Sequence, residues 1–525
     1  MDSEDETKKE SKLPLLGEIK IPQNGTFNSG EELKKPENNI LTFPLLLTVF
    51  AATIGSSFQS GWHTGCVNPI GKVASSWYNE SHYYLFGEKL TNEETDFIWS
   101  LTVGIFNVGG MIGGYFACRM ADNIGRRNTL MVNNSFIFTG IILMTFAYFV
   151  NFYPLLPIGR LITGCSSGIA SAIVPLYITE ISPITRRGTL GSVHQLTFTF
   201  SNFVSTIFGL PQIFGNAVYW PCIFVLALLP AVIQLVLLPF CPESPKYTLL
   251  TLREVDKAAR DLKKLRKVPN VSLEIEMMEK EASNTYGVPN VTIPELFTNV
   301  LYRKRIIISI MLMFALQFCG ITAVFFYSRQ IFEDAGLTGT LPFYMTILAG
   351  FLNFAMTIVS AKLMDHKKFG RRSLHFIGLT GMFFSTLGLV FCMSLSQSVF
   401  TSSLRSLGSI GACFFVFTYI ISFATGPGPI PWFYVSEIFP PHAKSSAQSI
   451  TVICCWIGGS IVGMSFLPIN NILGHYTFLI FTGFIGWFMF FTYKYVPETK
   501  GRTVAEIERE MGLDSIKRSI SESDL

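Results

Sequence analysis

The chain has 525 residues, of which only 14% are charged and 49% are hydrophobic, and its mean hydropathy is +0.41. Soluble proteins carry about 25% charged residues, so this composition excludes a series of water-soluble domains. A net charge of +4 spread over this length is too small to favour nucleic acid as a partner. We therefore predict an all-α protein that crosses the lipid bilayer several times.

Apolar stretches long enough to cross a bilayer recur along the chain. A helix needs about 20 apolar residues, each rising about 1.5 Å, to cross roughly 30 Å of hydrocarbon. By this measure the sequence predicts twelve spans, at 43–62, 95–116, 130–149, 155–177, 190–210, 220–240, 306–326, 342–364, 374–395, 407–432, 447–466 and 476–495.

The basic residues of the loops predict the orientation of these spans. One set of loops contains most of the lysines and arginines, including twelve between 241 and 305, whereas the opposite set contains four. Because basic loops stay in the cytoplasm, both chain ends are predicted to be cytoplasmic. The predicted organisation is a cytoplasmic tail (1–42), a six-span half (43–240), a cytoplasmic linker with short surface helices (241–305), a second six-span half (306–495) and a cytoplasmic tail (496–525).

Short motifs outside the spans suggest one covalent modification and one contact with a partner protein. Asn79-Glu80-Ser81 is a sequon in the external 63–94 loop and predicts N-glycosylation of Asn79. The last residues, Ser523-Asp524-Leu525, fit a PDZ-type ligand that adds a strand to a partner's sheet. The ten cysteines lack zinc-type spacing, so we expect small buried side chains and no metal or other cofactor.

The two halves of the chain repeat each other. Three landmarks recur in the same order with offsets of 245, 257 and 255 residues: Gly125-Arg126-Arg127 with Gly370-Arg371-Arg372, Glu180 with Glu437, and Pro242-Glu243 with Pro497-Glu498. Such a repeat predicts two pseudo-symmetric halves related by an axis along the membrane normal. In this architecture the ligand site lies between the halves, near the middle of the membrane.

The polar residues of the predicted spans are mostly neutral. The spans have almost no charge at their centres, but they contain amides, hydroxyls and ring N–H groups: Gln59, His63, Thr64, Asn68, Gln195, Asn202, Gln317, Thr322, Asn353 and Trp432. Amides both donate and accept hydrogen bonds, as recognition of a neutral polyhydroxylated ligand requires. Hydrogen bonding between helices is the alternative for each residue taken singly.

Charged residues of both signs recur at the cytoplasmic ends of both halves. They form two matching groups: Arg126, Arg127, Glu180, Arg187 and Glu243 in the first half, and Arg371, Arg372, Glu437, Lys444 and Glu498 in the second. A purely topological role for the basic residues does not predict acids at matching positions. We predict ion pairs that close the cytoplasmic side and break when the halves move.

Together these motifs resemble the sugar porters of the major facilitator superfamily, most closely the facilitative glucose transporters of animals, over residues 43–505. The resemblance rests on Gly125-Arg126-Arg127, Pro175-Leu176-Tyr177, Arg187-Gly188, His194-Gln195-Leu196, Pro242-Glu243-Ser244-Pro245, Gly320-Ile321, 426–432 and Pro497-Glu498-Thr499-Lys500-Gly501. It implies the major facilitator fold of twelve helices in two halves. It also implies facilitative uniport of a hexose, foremost D-glucose, across the plasma membrane by alternating access.

The resemblance also implies which residues bind the sugar. Gln195, Gln317, Asn353 and Trp432 would line the site, with Phe423 as an aromatic wall, and Gln59, Thr64 and Asn68 would line the path in the first span. Thr322 stands where the family has an asparagine, and Leu316, Ala424 and Cys455 also replace polar residues of the glucose-selective pattern. Each replacement removes a hydrogen-bonding group, which leaves fructose or a broader hexose range open.

Three further alternatives need weighing. His63 occupies the place of a span-one aspartate in proton-coupled sugar porters, so it is a possible proton site, although a neutral imidazole in a uniporter is favoured. A sugar sensor that does not transport is disfavoured by a tail of only 30 residues after Tyr495. The segment 164–168 reads both GxSxG and GxxxG, and its place inside a span favours helix packing over catalysis, so no enzyme is predicted.

Overall fold

The computed structural model describes residues 41–183, 186–283, 291–366, 368–397, 402–502 and 504–512. Within these ranges the chain forms 23 α-helices, two short 3₁₀ helices and no β-strand. The 1–40 part of the N-terminal tail and the C-terminal residues 513–525, with Ser523-Asp524-Leu525, lie outside the described residues.

The first half contains ten α-helices, nine of which build its six spans. Their bounds are α1 Phe43–Ile54, α2 Ser57–Gly65, α3 Val67–Phe86, α4 Asn92–Ile124, α5 Arg126–Phe149, α6 Leu155–Ile181, α7 Arg187–Gly191, α8 Val193–Phe208, α9 Cys222–Leu226 and α10 Leu228–Leu237. The first span combines α1 and α2, the fifth combines α7 and α8, and the sixth combines α9 and α10 with a 3₁₀ turn at Leu238–Phe240.

Short helices precede the second set of spans, on the side that the basic loops predict to be cytoplasmic; the two sides of the protein are named below by this predicted orientation. These short helices are α11 Pro245–Leu250, α12 Val255–Arg266, α13 Ser272–Ser283 and α14 Ile293–Thr298. The last six spans are α15 Val300–Phe318 with α16 Ile321–Asp334, α17 Leu341–Asp365, α18 Arg371–Ser396, α19 Ser402–Thr425 with α20 Ile430–Ile438, α21 Pro441–Leu473 and α22 Thr477–Tyr495, and α23 Val504–Glu510 follows.

The predicted all-α membrane fold is confirmed. Within the described ranges, ten helical segments are long and apolar enough to cross a membrane. The fifth span is not among them because α8 has only 16 residues, and the segment His442–Tyr495 contains both α21 and α22. Counting these separately gives the twelve-helix layout. The predicted start of the second half at 306 falls inside α15, which begins at Val300.

Glycine and proline break the seventh and tenth spans midway. Gly320 separates α15 from α16 with a φ of 96°, and a Cβ there would lie 2.7 Å from the Phe481 ring. Only glycine adopts this backbone without strain. Pro427 and Pro429 lack the N–H groups that a continuous helix needs, and they separate α19 from α20. Both breaks lie near the middle of the membrane part.

A seam of glycines joins the second and fourth spans. A Cβ on Gly113 of α4 would lie 1.9 Å from the Cys165 carbonyl oxygen, and one on Gly168 of α6 would lie 2.1 Å from the Gly110 carbonyl oxygen. The two backbones are therefore in direct contact. This contact explains the glycines of 164–168 as helix packing, which is typical of small residues in membrane helices.

The surface helix α12 is attached beneath the first half. The Arg266 guanidinium donates to the Ile181 carbonyl at the end of the fourth span (2.8 Å), and the Lys264 ammonium donates to the Phe240 carbonyl at the end of the sixth (2.7 Å). The Thr42 hydroxyl donates to the Leu265 carbonyl at 2.5 Å. One short helix thus ties together the cytoplasmic ends of three spans.

The external segment after the first span differs from the predicted loop. Residues Val67–Phe86 form the helix α3, which follows α2 almost without interruption. Asn79 lies on this helix, half-buried, and its Oδ1 atom has no hydrogen-bond partner among the described residues. A sequon is more often found on an open loop, and glycosylation of Asn79 stays a prediction.

Candidate functional site

A small cavity lies between the two halves at the level of the broken helices. Spans one, two, four and five line it from the first half, and spans seven, ten and eleven line it from the second. The lining residues are Thr64, Asn107, Ser171, His194, Gln195, Phe198, Leu316, Gln317, Ile321, Thr322, Phe325, Phe326, Phe423, Trp432, Cys455 and Trp456. No lining residue carries a full charge, so the cavity suits a neutral ligand.

Six of the nine residues that the sequence suggested for the ligand site lie together in this cavity. They are Thr64, Gln195, Gln317, Thr322, Phe423 and Trp432. Four of them lie next to the breaks in the seventh and tenth spans, because Gln317 and Thr322 flank Gly320, and Phe423 and Trp432 flank the proline-rich break. The remaining three residues lie elsewhere.

Gln59, Asn68 and Asn353 are outside the cavity lining. Gln59 is five residues before Thr64 and turns towards the sixth span, where its Nε2 donates to the Ala227 carbonyl at 2.5 Å. Asn68 lies on the external side and donates to the Ser328 hydroxyl at 2.6 Å. Asn353 is buried in α17, and its Oδ1 has no partner among the described residues.

The sequence analysis did not single out several lining residues. Asn107 and Ser171 project from the second and fourth spans, and Phe198, Phe325 and Phe326 complete the aromatic part of the wall. Asn107 is a polar residue amid apolar neighbours in a span, which is a signal that could have identified it. The phenylalanines give no such signal, because the chain has 48 of them.

Several polar groups at the cavity lack protein partners. Within the described part of the chain, Nδ2 of Asn107 and the indole nitrogens of Trp432 and Trp456 are buried without a hydrogen bond. A buried N–H group without a partner costs free energy, so these three donors are available to a ligand or to water.

His194 and Trp432 form a polar and aromatic corner of the cavity. Nδ1 of His194 is 2.7 Å from the Ser57 hydroxyl, and its ring meets the Trp432 ring edge-on with the centroids 5.2 Å apart. Phe423 meets Phe325 edge-on at 6.2 Å. An aromatic face packs on the C–H groups of a sugar, while nearby amides and N–H groups bond its hydroxyls.

His63 is buried in the first half and is not part of the cavity lining. Its ring lies parallel to that of Phe224 with the centroids 6.4 Å apart, and neither ring nitrogen has a partner among the described residues. Its carbonyl accepts a 2.7 Å hydrogen bond from the Arg160 guanidinium.

Arg160 is a buried charge near one end of a span, whereas the sequence analysis considered only the centres of the spans. It belongs to the fourth span and is only 1% exposed, and its guanidinium lies 4.4 Å from the centre of the Phe106 ring. None of the described carboxylates forms an ion pair with it. The aromatic face and the His63 carbonyl therefore stabilise this charge in place of an acid.

The charged residues of the first half form a buried network at its cytoplasmic end. Nε of Arg126 is 3.1 Å from Glu180, and the Ser244 hydroxyl donates to the same carboxylate at 2.5 Å. Glu243 accepts from the main-chain N–H groups of Arg126 and Arg127 at 2.9 and 3.1 Å. Burial raises the pKa of the Glu243 carboxyl, while these N–H groups oppose the rise.

The second half repeats this arrangement. Nη2 of Arg371 is 3.3 Å from Glu437, and Glu498 accepts from the main-chain N–H groups of Arg371 and Arg372 at 2.7 and 3.2 Å. The Thr499 hydroxyl donates to Glu437 at 2.5 Å, as Ser244 does to Glu180. Each network joins spans of its own half, whereas Arg187 and Lys444 lie at the starts of the fifth and eleventh spans.

Direct contacts between the halves lie on both sides of the cavity. On the external side Asn68 bonds Ser328, and the Lys72 ammonium is 3.2 Å from Glu333. On the cytoplasmic side the Ser445 hydroxyl donates to Asp122 at 3.3 Å. Polar contacts between the first and second halves thus lie on both sides of the cavity.

Two six-span halves around a central cavity are the arrangement of the major facilitator fold. The structure is similar to that of the proton:xylose symporter XylE bound to 6-bromo-6-deoxy-D-glucose, with a TM-score of 0.75 at 23% sequence identity. The match covers 90% of this chain and all of that one. At this identity the likeness concerns the fold alone.

The sequence comparisons identify the family. Residues 48–511 match the family described as "Sugar (and other) transporter". The chain is 47% identical to "Facilitated glucose transporter protein 1" of Caenorhabditis elegans, covering 90% of this chain and 91% of that one. It is 38% identical to "Solute carrier family 2, facilitated glucose transporter member 1" of Gallus gallus, covering 89% and 93%. The chain belongs to the sugar transporter family; it is a multi-pass membrane protein and not an enzyme.

Proposed function

We propose that this protein is a facilitative uniporter of hexoses, with D-glucose as its first substrate, working by alternating access. The observation that carries the proposal is the uncharged cavity between the halves, with the two amides Gln195 and Gln317 and the unpartnered N–H groups of Asn107, Trp432 and Trp456. A polyhydroxylated ring offers the hydroxyls that these groups need. The relatives named as facilitated glucose transporters support the same substrate class.

Gln195, Gln317, Phe423, Trp432 and Thr64 would bind the sugar, and Thr322 would belong to the site through its hydrogen bond to Gln317, since all six line the cavity. Gln59 and Asn353 would act indirectly, through the packing of spans one and eight. The hydrogen bond of Asn68 to Ser328 joins the two halves, so it would break when the external side opens and form again when that side closes. Transport then requires the external contacts to break while the cytoplasmic ones hold, and the reverse.

The cytoplasmic charge networks would support this movement by keeping each half rigid. The first network comprises Arg126, Glu180 and Glu243, and the second comprises Arg371, Glu437 and Glu498. Arg127, Arg187, Arg372 and Lys444 would complete the closed cytoplasmic face. The sequence analysis expected these ion pairs to break as the halves move, but each pair joins residues of one half. In this proposal the contacts between the halves therefore break during transport, and the bonds inside each network persist.

The surroundings of His63 favour a uniporter over a proton-coupled carrier. The imidazole and the Arg160 guanidinium both contact the buried Phe106 ring, so a proton on His63 would place a second positive charge beside an unpaired one. Such an arrangement is costly in a dry interior. The imidazole is therefore expected to stay neutral throughout the transport cycle.

We predict that an inward proton gradient changes glucose uptake into proteoliposomes by less than about twofold. The measurement compares the initial rate of glucose uptake and the final glucose level at equal pH and with the inside of the vesicles about one pH unit more alkaline. His63→Asn should behave like the wild type in both conditions. Accumulation of glucose above equilibrium that is lost in His63→Asn would instead assign proton coupling to this residue.

The function itself is tested by labelled glucose and fructose uptake into the same proteoliposomes, each with the other sugar as competitor. Equilibrating glucose flux supports the proposal. Preference for fructose, or equal flux of several hexoses, would support the alternative that Leu316, Ala424 and Cys455 suggest. Binding without flux of any hexose would favour a sugar sensor.

The cellular setting is proposed by resemblance. The protein would lie in the plasma membrane with both chain ends cytoplasmic, as the basic loops predict. Asn79 would then be external, where a glycan could be attached, and Ser523-Asp524-Leu525 could meet a cytoplasmic PDZ domain. Enzymatic deglycosylation of the protein from cells, followed by its mobility on a gel, tests the first point.

A further inference from the structure

The side-chain amide of Gln317 is held at both ends by neighbouring side chains. Its Oε1 accepts a short hydrogen bond from the Thr322 hydroxyl, and its Nε2 is 3.1 Å from the Cys455 sulfur. Thr322 lies just after the break in the seventh span, and Cys455 lies on the eleventh. A hydroxyl and a thiol can each donate or accept a hydrogen bond. Both contacts therefore persist if the oxygen and nitrogen of the Gln317 amide exchange places.

Two glycines give this amide a flat surface on which to lie. A Cβ on Gly458 would be 2.9 Å from Cβ of Gln317, and one on Gly459 would be 3.5 Å from the amide carbon. A side chain at Gly458 would therefore push Gln317 out of place, whereas one at Gly459 would be in ordinary van der Waals contact with the amide. The eleventh span thus provides both the surface below the amide and the thiol at its end.

Gln195 on the opposite wall is different. Its amide makes no hydrogen bond within the described part of the chain, so all its donors and acceptors are available to a ligand. The amide of Gln317 has two N–H groups and two acceptor positions, of which one each is already used. The cavity therefore presents one free amide from the first half and one fixed amide from the second.

We propose that Thr322 and Cys455 are positioning residues that set hexose selectivity by fixing the Gln317 amide. The inference rests on the proposed function. Leu316 and Ile321, which flank Gln317 in the lining, are apolar. The Gln317 amide is therefore the group through which this part of the seventh span would form a hydrogen bond with one sugar hydroxyl. A loosened amide weakens that one contact and leaves the contacts of Gln195 and Trp432 unchanged.

The test is a double-mutant cycle on glucose uptake. Cys455→Ala and Thr322→Val are each expected to raise KM roughly three- to tenfold with little change in Vmax, the scale of one weakened hydrogen bond. In a Gln317→Leu background neither substitution should raise KM further, because the group that they position is gone. The control is Cys454→Ala, which removes a neighbouring thiol outside the lining.

A panel of deoxy-glucoses separates positioning from general damage. One analogue, lacking the hydroxyl that Gln317 contacts, should have nearly the same KM in the wild type, Cys455→Ala and Thr322→Val. The other analogues should show the same loss as glucose does. If the losses of Cys455→Ala and Gln317→Leu add, or if all analogues suffer equally, the proposal is overturned while the proposed function stands.

A second measurement addresses the contact without transport. Cys455 is only 1% exposed, and alkylation by N-ethylmaleimide, followed by mass spectrometry in a Cys454→Ala background, should be at least about threefold faster in Gln317→Ala, which uncovers the sulfur. Equal rates would overturn the proposal. Absence of hexose flux in the wild type would refute the proposed function, and this inference with it.

Discussion

Gln195→Leu is expected to lower Vmax/KM for glucose uptake by about 10- to 100-fold, the effect of two or three lost hydrogen bonds to one ligand. Leucine has nearly the size of glutamine, so the cavity keeps its shape but loses a free amide. The sugar hydroxyls that faced this amide would then be enclosed without partners. Initial rates of labelled glucose uptake into proteoliposomes measure the change.

The matched control for this substitution is Gln212→Leu. Gln212 is exposed in the connection between the fifth and sixth spans and is not one of the lining residues. It should leave uptake within about twofold of the wild type, since surface substitutions have small effects. Normal uptake by Gln195→Leu, in protein of verified amount and orientation, would remove Gln195 from the proposed site.

Glu180→Gln is expected to lower the free energy of unfolding by about 2–3 kcal/mol, because it leaves a buried guanidinium without its main counter-ion. The Arg126 and Glu180 side chains are only 8% and 7% exposed. Asp122, at 3.4 Å from Arg126, remains as a more exposed partner and limits the loss. Thermal unfolding of the purified protein in detergent, followed by tryptophan fluorescence, measures the effect.

The second half offers the comparison for this prediction. Glu437 pairs with Arg371 in the same manner, but its side chain is 18% exposed and the pair is longer, at 3.3 Å. Water therefore screens the Arg371 charge better, and Glu437→Gln should destabilise the protein by about half as much. A larger loss in Glu437→Gln than in Glu180→Gln would contradict this order of the two networks.

The fold was largely predictable from the sequence because hydropathy reports directly on membrane crossing. Each predicted span corresponds to a helix or a pair of helices, and the repeated Gly-Arg-Arg and Pro-Glu motifs indicated the two halves. The ends of helices were less predictable. The second span continues to Ile124, because helices extend past the hydrocarbon into the interface, where polar residues are tolerated.

The ligand-facing residues were predictable only in part, because hydropathy carries no information on which side of a helix faces the centre. Gln59 and Thr64 belong to the same helix, α2, five residues apart, which is a rotation of about 140° around its axis. One therefore faces the sixth span, and the other faces the cavity. Only the packing of neighbouring spans decides this direction.

Arg160 illustrates a second limit of sequence reasoning. It lies near one end of the fourth span, where basic side chains commonly extend to the water at the membrane surface, and the sequence analysis did not single it out. In the structure it points inward to the Phe106 ring and the His63 carbonyl instead. A pattern of apolar residues cannot reveal such a partner, because the partner is an aromatic face and a main-chain carbonyl from other spans.

The glycine seam between the second and fourth spans has a consequence for how the first half assembles. Residues such as Gly113 and Gly168 have no side-chain rotamers, so bringing these backbones together freezes almost no side-chain conformational entropy. In lipid no hydrophobic effect draws helices together, and van der Waals contact must exceed whatever entropy is lost. Because the glycine seam loses almost no side-chain entropy, its van der Waals contact exceeds that loss without help from other spans. These two helices are therefore a natural nucleus on which the other spans can pack.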